Sequence, residues 1–351
     1  MQKINISNSV DSLFEELKDI KPSSTFVLTD TNTLKLCWPI LQKGVNIPAD
    51  HVITIPAGDD NKNLESLAYV WQQLSEKGAT RKSLLINLGG GMVTDLGGFA
   101  ASSFKRGIDY INVPTTLLGA VDAAVGGKTG INFNGLKNEI GVINPALSVL
   151  IYVGFFKTLS QENIFSGFAE MIKHGLISNP TVWKHICETD LDNIDYQALP
   201  ELLHESIHVK EEIVAVDPTE KGIRKALNFG HTIGHAFESH AIERGETKLH
   251  GYAVAWGMIA ELYLSHKKCG FPKEPLYQAI QFIKENYGAF YITCKEYDRL
   301  YELMTHDKKN EEKDTILFTL LSNIGEVKIN TIVEKQEIFE SLDFYRDSVG
   351  I

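Results

Sequence analysis

Cysteine is scarce in this sequence, and its few copies are widely separated. The chain has 4 cysteines, Cys37, Cys187, Cys269 and Cys294, and none of them belongs to a CxxC pair. Disulfide-stapled domains and cysteine-based zinc sites use closely spaced cysteines. The spacing therefore argues against both, and it predicts reduced thiols in a cytoplasmic protein.

The sequence also lacks long apolar runs and an excess of positive charge. No segment approaches the ~18–20 uninterrupted apolar residues of a membrane helix. The start, MQKINISNSVDSLFEELKD, has no apolar stretch of the kind found in a secretory signal. The 34 Lys and Arg residues are outnumbered by 45 Asp and Glu residues, for a formal charge of −11. Because phosphate affinity comes from clustered cations, we expect neither nucleic acid nor a membrane as a partner.

In the first part of the chain, apolar segments of strand length alternate with helical ones. The 351 residues are enough for two domains. Leu64–Leu74 repeats apolar residues at helical spacing. Strands alternating with helices predict βαβ units and a mostly parallel sheet. The predicted strands are 25–29, 51–55, 83–88, 109–113 and 148–152.

After about Phe155, amphipathic helical segments dominate, with a short β-hairpin predicted near 315–329. The sequence thus predicts an α/β fold with an N-terminal parallel-sheet domain, residues 1–154, and a C-terminal all-helical domain, residues 155–351. In such architectures ligands bind in the cleft between domains and at the carboxyl ends of strands. The predicted helices are 163–177, 199–216, 231–244, 252–267 and 273–287.

A glycine-rich stretch, LGGGMVTDLGG, follows the predicted strand 83–88. Gly89, Gly90 and Gly91 allow a phosphate to approach the backbone N–H groups at a helix N-terminus. The dinucleotide fingerprint GxGxxG is not met, because Thr94 occupies the third glycine position. The stretch predicts a phosphate or dinucleotide site, and a tight turn with close helix–sheet packing remains the alternative.

The segment VPTTLLGAVDAAVGGKTGINFNGLKNE places lysines among many small residues. Lys128 and Lys137, predicted in glycine-rich loops, are suited to bind an anion as point charges. GGKTG resembles the end of a P-loop, but Asp122 stands where that motif needs its first glycine. An anion site without a P-loop is therefore expected.

Metal-type ligands follow in the second half. EMIKH places a carboxylate, an ammonium and an imidazole on one helix face, GHTIGH puts two imidazoles one turn apart, and LHG adds another. Two histidines and one glutamate are a recurrent ligand set for catalytic zinc. The candidate residues are Glu170, Lys173, His174, His231, His235 and His250.

A second pattern, HESIH at His204–His208, matches the HExxH signature of zinc peptidases. We interpret it as the solvated face of a helix whose inward stripe is formed by Leu202, Val209 and Ile213. A peptidase would not require the glycine-rich first half of the chain. The peptidase alternative is therefore disfavoured.

Charged and polar residues run from residue 210 straight into GHTIGH, which favours a site over solvated surface. A basic pair, Lys308 and Lys309, follows a predicted helix end, where positive charge is favourable anyway. The members of the first group are Lys210, Asp217, Glu220, Arg224 and Asn228.

Five motifs together carry a resemblance to a known family: GGGMVTDLGGF, VPTTLLGAVDAAVGGKTGIN, FAEMIKHGLI, LNFGHTIGHAFE and LHGYAVAWGM. With them the chain, from Asp30 to Ile324, resembles the 3-dehydroquinate synthases. The resemblance implies an NAD-binding α/β domain and an α-helical domain holding a divalent metal. The metal is usually zinc, with cobalt as an alternative, and the assembly is commonly a homodimer.

The resemblance also implies roles for individual residues. Glu170, His231 and His250 would hold the metal, and Glu220 and His235 would transfer protons. The NAD positions are Asp30, Asn32, Asp59, Lys62, Gly89, Gly90, Gly91, Asp95, Thr115, Thr116, Asp122, Lys137 and Thr158. The substrate positions are Arg106, Asp122, Lys128, Asn138, Lys173, Lys210, Arg224, Asn228 and Lys308. Lys173 and Lys210 would also act in catalysis. Arg106 would reach the phosphate, with a route across the dimer as one alternative.

The implied reaction converts an anionic sugar phosphate, 3-deoxy-D-arabino-heptulosonate 7-phosphate (DAHP), into 3-dehydroquinate and phosphate. NAD+ oxidises a hydroxyl transiently, phosphate leaves by β-elimination, NADH returns the hydride, and an intramolecular aldol step closes the ring. Such an enzyme is a lyase of the shikimate pathway to chorismate and aromatic amino acids. Tyr252, Ser166 and Tyr152 depart from the family's usual Glu, Asn and Asp.

Other classes of function remain open. Another sugar-phosphate cyclase, with an inosose or valiolone product, shares the architecture, but Lys210, Arg224, Asn228 and His235 favour a carboxylate-bearing substrate. A metal-dependent polyol dehydrogenase would release NADH and would need no phosphate-binding lysines. The Glu/His/His set disfavours a binding module without catalysis.

Overall fold

The computed structural model describes residues 2–18, 20–305 and 316–351, and they form two compact units. The first unit runs to Ser160 and also contains Asp195–Ile207, and the second contains Gln161–Ile194 and His208–Ile351. The boundary predicted between residues 154 and 155 lies in the short 3₁₀ segment Val153–Thr158 and remains a prediction. Within the described residues, no helix is both long and apolar enough to cross a bilayer.

A parallel sheet organises the first unit. In the described part of the chain it has six strands in the order β1-β8-β5-β4-β2-β3, all of whose pairings are parallel. Five of these strands were predicted. β1 was not, because it is a half-exposed edge strand without an apolar run. The strands are β1 (Lys3–Ser7), β2 (Thr25–Asp30), β3 (Val52–Ile55), β4 (Leu84–Gly89), β5 (Asp109–Pro114) and β8 (Ser148–Tyr152).

Helices cover both faces of this sheet, because successive strand residues point to opposite sides. Phe26 and Leu28 pack on the side of α4 and α5, whereas Val27 packs on the side of α1 to α3. A separate antiparallel hairpin, β6 (Lys128–Phe133) with β7 (Leu136–Ile143), packs against α5. The helices are α1 (Val10–Lys18), α2 (Thr33–Leu36), α3 (Trp38–Leu41), α4 (Leu64–Glu76) and α5 (Gly91–Ser103).

Helices dominate the second unit, and the predicted hairpin is present as β9 (Leu317–Asn323) and β10 (Glu326–Ile332). α10 is the central helix, since it packs against α6, α9, α11, α13 and β9. The helices are α6 (Gln161–Ser178), α7 (Pro180–Cys187), α8 (Leu199–Val216), α9 (His231–Glu243), α10 (His250–Cys269), α11 (Lys273–Tyr287), α12 (Tyr297–Thr305) and α13 (Lys335–Val349). The residues of α8 up to Ile207 belong to the first unit.

The inward face of α8 differs from the predicted stripe. Leu203 and Ile207 are buried together with Val209, whereas the predicted Leu202 and Ile213 are only partly buried. Periodicity allowed two neighbouring stripes, and tertiary packing selected the one containing Leu203 and Ile207. His204 and His208 remain exposed, as expected for a solvated face.

Candidate active site

One carboxylate and three imidazoles converge within the second unit. Glu170 comes from the middle of α6, His231 and His250 are the first residues of α9 and α10, and His235 lies one turn after His231. Ligand nitrogens of the three histidines lie within 4.8 Å of one another. Oε1 of Glu170 is 3.4 Å from Nε2 of His231 and 3.6 Å from Nε2 of His250.

Hydrogen bonds set the orientation of two of these imidazoles. Nδ1 of His231 lies 3.0 Å from the carbonyl oxygen of Phe229, and Nδ1 of His250 lies 3.0 Å from Oε2 of Glu238. Because both acceptors face Nδ1, each Nδ1–H donates, and the Nε2 atom of each ring faces Glu170. Metal-binding histidines use this arrangement, with an outer carboxylate or carbonyl holding the far nitrogen.

Glu170 is a buried carboxylate with one oxygen left for a cation. The residue has 0% exposure, its Oε2 pairs with Lys173, and its Oε1 has no hydrogen-bond partner among the described residues. Burial alone would raise the pKa of Glu170, but Lys173 and His231 hold it well below its usual value. An ionised oxygen facing two imidazole nitrogens fits a zinc-type divalent cation.

The two imidazoles nearest Glu170 differ in basicity. Burial lowers the pKa of His231 to about 3. Burial also acts to lower the pKa of His250, but the neighbouring carboxylates of Glu170 and Glu238 raise it to about 10. A metal ion would compete with protons for His250, because metal ligands must be deprotonated.

The predicted anion-binding cations of this unit are strongly buried. Lys173 is 1%, Arg224 1% and Lys210 6% exposed. Lys173 is paired with Glu170. A buried cation also attracts an anionic ligand more strongly than an exposed one, because the low dielectric strengthens the attraction.

A tight loop shapes the segment before α9. The carboxylate of Asp217 accepts hydrogen bonds from the backbone N–H groups of Lys221, Gly222 and Arg224. Nη1 of Arg224 donates to the carbonyl of Pro218 at 2.6 Å. Burial acts to raise the pKa of Asp217, but these backbone hydrogen bonds lower it. The loop therefore holds the Arg224 side chain in one place.

Two predicted residues of this loop contact each other directly. Nδ2 of Asn228 donates to Oε1 of Glu220 at 3.1 Å. Glu220 adopts a left-handed backbone conformation with φ +60°, which is uncommon for a residue with a side chain. Strained positions of this kind concentrate at functional sites.

In the first unit, most predicted nucleotide residues lie where strands end. Because all strands are parallel, their carboxyl ends lie on one edge of the sheet. The chain turns outward from β2 to β3 and then back to β4, so the switch point lies between β2 and β4, where ligands of open α/β sheets bind. At this edge lie Asp30 and Asn32 after β2, Asp59 and Lys62 after β3, Gly89–Gly91 after β4, Thr115 and Thr116 after β5, and Thr158 after β8.

The glycine-rich turn is closely packed. Gly90 is the N-cap of α5, without a side-chain cap in the described structure, so the first N–H groups of that helix are not covered by a cap. A Cβ on Gly90 would lie 2.9 Å from Cγ2 of Thr116, and one on Gly91 would lie 3.0 Å from Cβ of Ala123. The glycines thus satisfy a packing need as well as leaving room for a phosphate.

Lys62 joins two predicted acidic residues. Its Nζ lies 3.1 Å from Oδ2 of Asp95 and 3.4 Å from Oδ1 of Asp59. Burial raises the pKa of Asp95 to about 6, although Lys62 acts in the opposite direction. Burial would also raise the pKa of Asp59, but Lys62 and Lys137 lower it. Asp59 also lies 3.6 Å from Nζ of Lys137.

Threonines and a thiol meet at the same edge. Burial raises the pKa of Cys37 to about 11, while hydrogen bonds to Thr158 and Thr115 act to lower it. Oδ1 of Asp30 accepts the N–H groups of Asn32 at 2.7 Å and Thr33 at 2.9 Å. One oxygen of Asp30 is therefore already engaged in beginning α2.

The predicted lysines lie elsewhere than expected. Lys128 begins β6 and Lys137 belongs to β7, so they are on a hairpin and not in glycine-rich loops. The many glycines of this region led to the prediction of loops. Asn138 is also in β7, and its N–H donates to Oδ1 of Asn132 at 3.0 Å. Lys308 lies outside the described residues.

Arg106 is far from the other residues predicted in the first unit. It precedes β5, at the amino edge of the sheet, where it lines an open cavity with Arg81 and Lys105. At the opposite edge, Gly89 pairs with Pro114, which lies five residues after Asp109 at the start of β5. This separation corresponds to about 17 Å. Within one chain, Arg106 therefore does not join the nucleotide edge.

Several contacting residues were not predicted as part of a site. Glu238 is spaced i+7 from His231 and i+3 from His235, so helical spacing could have indicated it. The others, Glu261, Ser166 and Asn132, contact backbone groups of other segments. No sequence pattern available here indicates such contacts.

Two solved synthases share this architecture. The chain matches 2-deoxy-scyllo-inosose synthase, solved with carbaglucose-6-phosphate, NAD+ and Co2+, with a TM-score of 0.81 and 22% identity, over 97% of this chain and 95% of that one. It also matches 2-epi-5-epi-valiolone synthase from Streptomyces hygroscopicus subsp. jinggangensis, solved with NAD+ and Zn2+ bound. That match has a TM-score of 0.83 and 22% identity and covers 99% of this chain and 97% of that one. The chain thus has the fold that these two sugar-phosphate cyclases share.

Comparison of the amino-acid sequence identifies the family of this chain. The model of the 3-dehydroquinate synthase N-terminal domain matches residues 52–166, and that of the C-terminal domain matches residues 167–310. The 3-dehydroquinate synthase of Parabacteroides distasonis is 55% identical over 100% of this chain and 99% of its own length. The chain belongs to the 3-dehydroquinate synthase family.

Proposed function

We propose that this chain converts DAHP into 3-dehydroquinate and phosphate. The observation that carries the proposal is the buried Oε1 of Glu170, which faces Nε2 of His231 and His250 without a hydrogen-bond partner among the described residues. The full-length likeness to a 3-dehydroquinate synthase at 55% identity supports this reaction over that of other cyclases.

The metal is proposed to be zinc, held by Glu170, His231 and His250. A divalent ion there would lower the pKa of a substrate hydroxyl and polarise the carbonyl formed from it. Glu170 contributes Oε1 only, since its Oε2 is paired with Lys173. Glu238 and the Phe229 carbonyl keep both Nε2 atoms aimed at the same point.

His235 is proposed to move protons at this centre. Its ring centroid lies 5.3 Å from that of His231 and 5.7 Å from that of His250. An imidazole is suited to general acid–base work because its ordinary pKa is near the working pH. Glu220, hydrogen-bonded to Asn228, is the second proposed proton-transfer group.

The proposed substrate contacts are the residues that the family resemblance implies. Lys173, Lys210 and Arg224, with Asn228, are the proposed contacts in the second unit. Asp122, Lys128, Asn138 and Lys308 complete the predicted set. Buried cations orient a carboxylate or phosphate more strongly than exposed ones, because the low dielectric strengthens the attraction.

NAD is proposed to bind at the carboxyl edge of the first unit. Gly89, Gly90, Gly91 and Asp95 would face the pyrophosphate, and Asp30 and Asn32 would face the adenosine end. The remaining proposed contacts are Asp59, Lys62, Thr115, Thr116, Asp122, Lys137 and Thr158. The edge lies at the switch point of an open α/β sheet, which supports this assignment.

A homodimer is proposed, in which Arg106 serves the partner's substrate. Arg106 lies at the sheet edge opposite the nucleotide edge of its own unit. β7, all of whose residues are exposed, offers Leu136, Ile140, Val142 and Ile143 for association. Mixing Arg106→Ala with His250→Ala protein tests this proposal. Restored turnover in mixed dimers supports it, and two dead variants that never complement contradict it.

A cytoplasmic location is part of the same proposal. Cys37, Cys187, Cys269 and Cys294 are all free cysteines. Free thiols persist in reducing compartments. Localisation of a tagged chain in cells would test the assignment.

The decisive experiment incubates the purified protein with DAHP, a catalytic amount of NAD+ and zinc. Phosphate release and 3-dehydroquinate, followed by NMR, are the expected result. A polyol dehydrogenase would instead convert the added NAD+ to NADH and then stop, without releasing phosphate. Turnover of a hexose phosphate that lacks a carboxylate, in preference to DAHP, would indicate another sugar-phosphate cyclase.

A further inference from the structure

We infer that Glu261 and Ser166 are positioning residues that aim the metal-binding imidazoles by capping α9 and α10 from neighbouring helices. The inference rests on the proposed metal centre. Both helices begin with a proposed ligand, His231 in α9 and His250 in α10. The end of a helix is its least constrained part, because its first N–H groups lack partners within the helix. A ligand at that end needs support from outside.

α9 receives its cap from α10. Its N-cap is Gly230, in the left-handed conformation with φ +80°, and in the described structure no side chain of its own caps the helix. Instead, Oε2 of Glu261 accepts the N–H of Gly230 at 2.7 Å, and Oε1 accepts that of Ile233 at 3.0 Å. Glu261 has 0% exposure. One buried carboxylate thus accepts an N–H group before His231, from Gly230, and one after it, from Ile233.

Close packing explains why α9 cannot supply this cap itself. A Cβ on Gly230 would collide with Met258, and it would lie 3.2 Å from the carbonyl of Val254. A Cβ on Gly257 would lie 2.6 Å from the N atom of Gly234. With α9 and α10 in contact through glycines, no capping side chain fits at position 230, and a glutamate one turn further along α10 takes its place.

α10 receives its cap from α6. Its N-cap is Leu249, which has no side-chain acceptor. Oγ of Ser166 accepts the N–H of Gly251 at 3.1 Å, and Ser166 is 4% exposed. Ser166 lies one turn before Glu170 on α6. The hydroxyl therefore ties the start of α10, and with it His250, to the helix that carries the carboxylate ligand.

The two caps connect the three ligand-bearing helices in series. α6 caps α10, and α10 caps α9, so Glu170, His250 and His231 are fixed relative to one another by two hydrogen-bonding side chains. A metal site needs its ligands held within about 0.5 Å of the productive geometry. Loss of a cap is therefore expected to weaken metal binding more than the same loss elsewhere.

The chain offers matched controls on helices without a proposed ligand. Asn179 caps its own helix α7 by accepting the N–H groups of Thr181 at 3.0 Å and Val182 at 3.1 Å. Glu337 forms a capping box at the start of α13, where it accepts the N–H of Glu334 at 2.8 Å. It also accepts from Nζ of Lys268 at 2.7 Å, at the end of α10 opposite His250. Asn179→Ala is the control for Ser166→Ala, and Glu337→Gln is the control for Glu261→Gln.

The experiment measures Co2+ affinity by competition with a chelator, together with the visible absorption spectrum of the Co2+-loaded protein and its thermal unfolding. We expect Glu261→Gln to weaken Co2+ binding about 10–100-fold and Ser166→Ala about 3–10-fold, in the range of outer-shell substitutions. Both spectra should change. The two controls should lower the unfolding temperature and leave affinity within about twofold of wild type.

The outcomes separate this inference from the proposed function. If Glu261→Gln and Ser166→Ala lose stability as the controls do but keep the wild-type affinity and spectrum, the caps are structural only and the inference is overturned. If wild type itself binds no Co2+ or Zn2+, the proposed metal centre fails, and the inference fails with it. If Glu261→Gln does not fold, Ser166→Ala, which removes only a hydroxyl, decides the question.

Discussion

The two units use lysine–carboxylate pairs in different ways. At the sheet edge of the first unit, the side chains of Lys62 and Asp95 are 7% and 17% exposed, and Lys62 has a second partner in Asp59. In the second unit, the side chains of Lys173 and Glu170 are 1% and 0% exposed. Water and a spare partner can compensate for a change in the first pair. In the second pair, the buried ammonium of Lys173 relies on the Glu170 carboxylate for its counter-charge.

This difference follows from how each unit brings residues together. A parallel sheet delivers strand ends to one edge, where loops remain in contact with solvent. The helical unit instead brings together residues from the middles and the starts of packed helices at a position that is buried from solvent. We therefore expect substitutions in the second unit to have larger effects on stability and binding than comparable ones in the first.

The largest effect is expected for Glu170→Gln. It leaves the Lys173 ammonium buried without its counter-charge, which we expect to lower the unfolding free energy of the metal-free protein by about 3–5 kcal/mol. Denaturant titration measures this change, and Asp95→Asn is the matched substitution in the first unit. Equal losses for the two variants at pH 7 would show that burial does not distinguish the pairs.

His250→Ala separates metal binding from stability within the second unit. The side chain is 27% exposed but pairs with the buried Glu238, so we expect its removal to lower the unfolding free energy by about 1–3 kcal/mol without unfolding the protein. Zinc affinity should nevertheless fall at least about 100-fold, beyond the usual effect of an outer-shell residue. Chelator competition and turnover with DAHP measure the result. Unchanged turnover would remove His250 from the metal centre.

Asp95→Asn should change the pH dependence of stability. Burial raises the pKa of Asp95 to about 6 in the folded protein, above the unfolded value of about 3.9. A raised pKa contributes stability that is present at low pH and is lost as pH rises through the folded pKa. Between pH 4 and 7, wild type should therefore lose about 2 kcal/mol relative to the variant. Parallel stability profiles for the two proteins would contradict the raised pKa.

The smallest effect is expected at the HExxH pattern of α8. His204 and His208 are exposed, and His208 pairs with Glu212 across 3.3 Å at the surface. Replacing both histidines with alanine should change the unfolding free energy by no more than about 0.5 kcal/mol. Zinc content, measured by mass spectrometry, should stay at the wild-type level. A loss of bound zinc would revive the peptidase interpretation.

The α/β architecture was predictable because apolar runs and their spacing report on strands directly. The predicted strands 25–29, 83–88 and 109–113 correspond to β2, β4 and β5. The half-exposed edge strand β1 and the hairpin β6/β7 were missed, since neither carries a buried apolar run. The buried stripe of α8 was assigned incorrectly, because the periodicity allowed two neighbouring stripes and only packing selected Leu203 and Ile207.

For the candidate site, residue types and order were enough to indicate chemistry. GHTIGH and EMIKH carry metal-type ligands at helical spacing, and the structure brings Glu170, His231, His235 and His250 together. Partners that act across helices, such as Glu261 on the N–H of Gly230, could not be read from the chain. They lie 31 residues apart, and only packing makes them neighbours.

Residue order alone was thus sufficient for the family, the two kinds of unit and the ligand types, because periodicity and motif spacing are local properties of the chain. Tertiary structure decided which charges are buried, which oxygen of Glu170 faces the imidazoles, and which helix caps which. Those features depend on exclusion of water and on contacts between distant segments. Local sequence does not encode either one in a form that can be read without the fold.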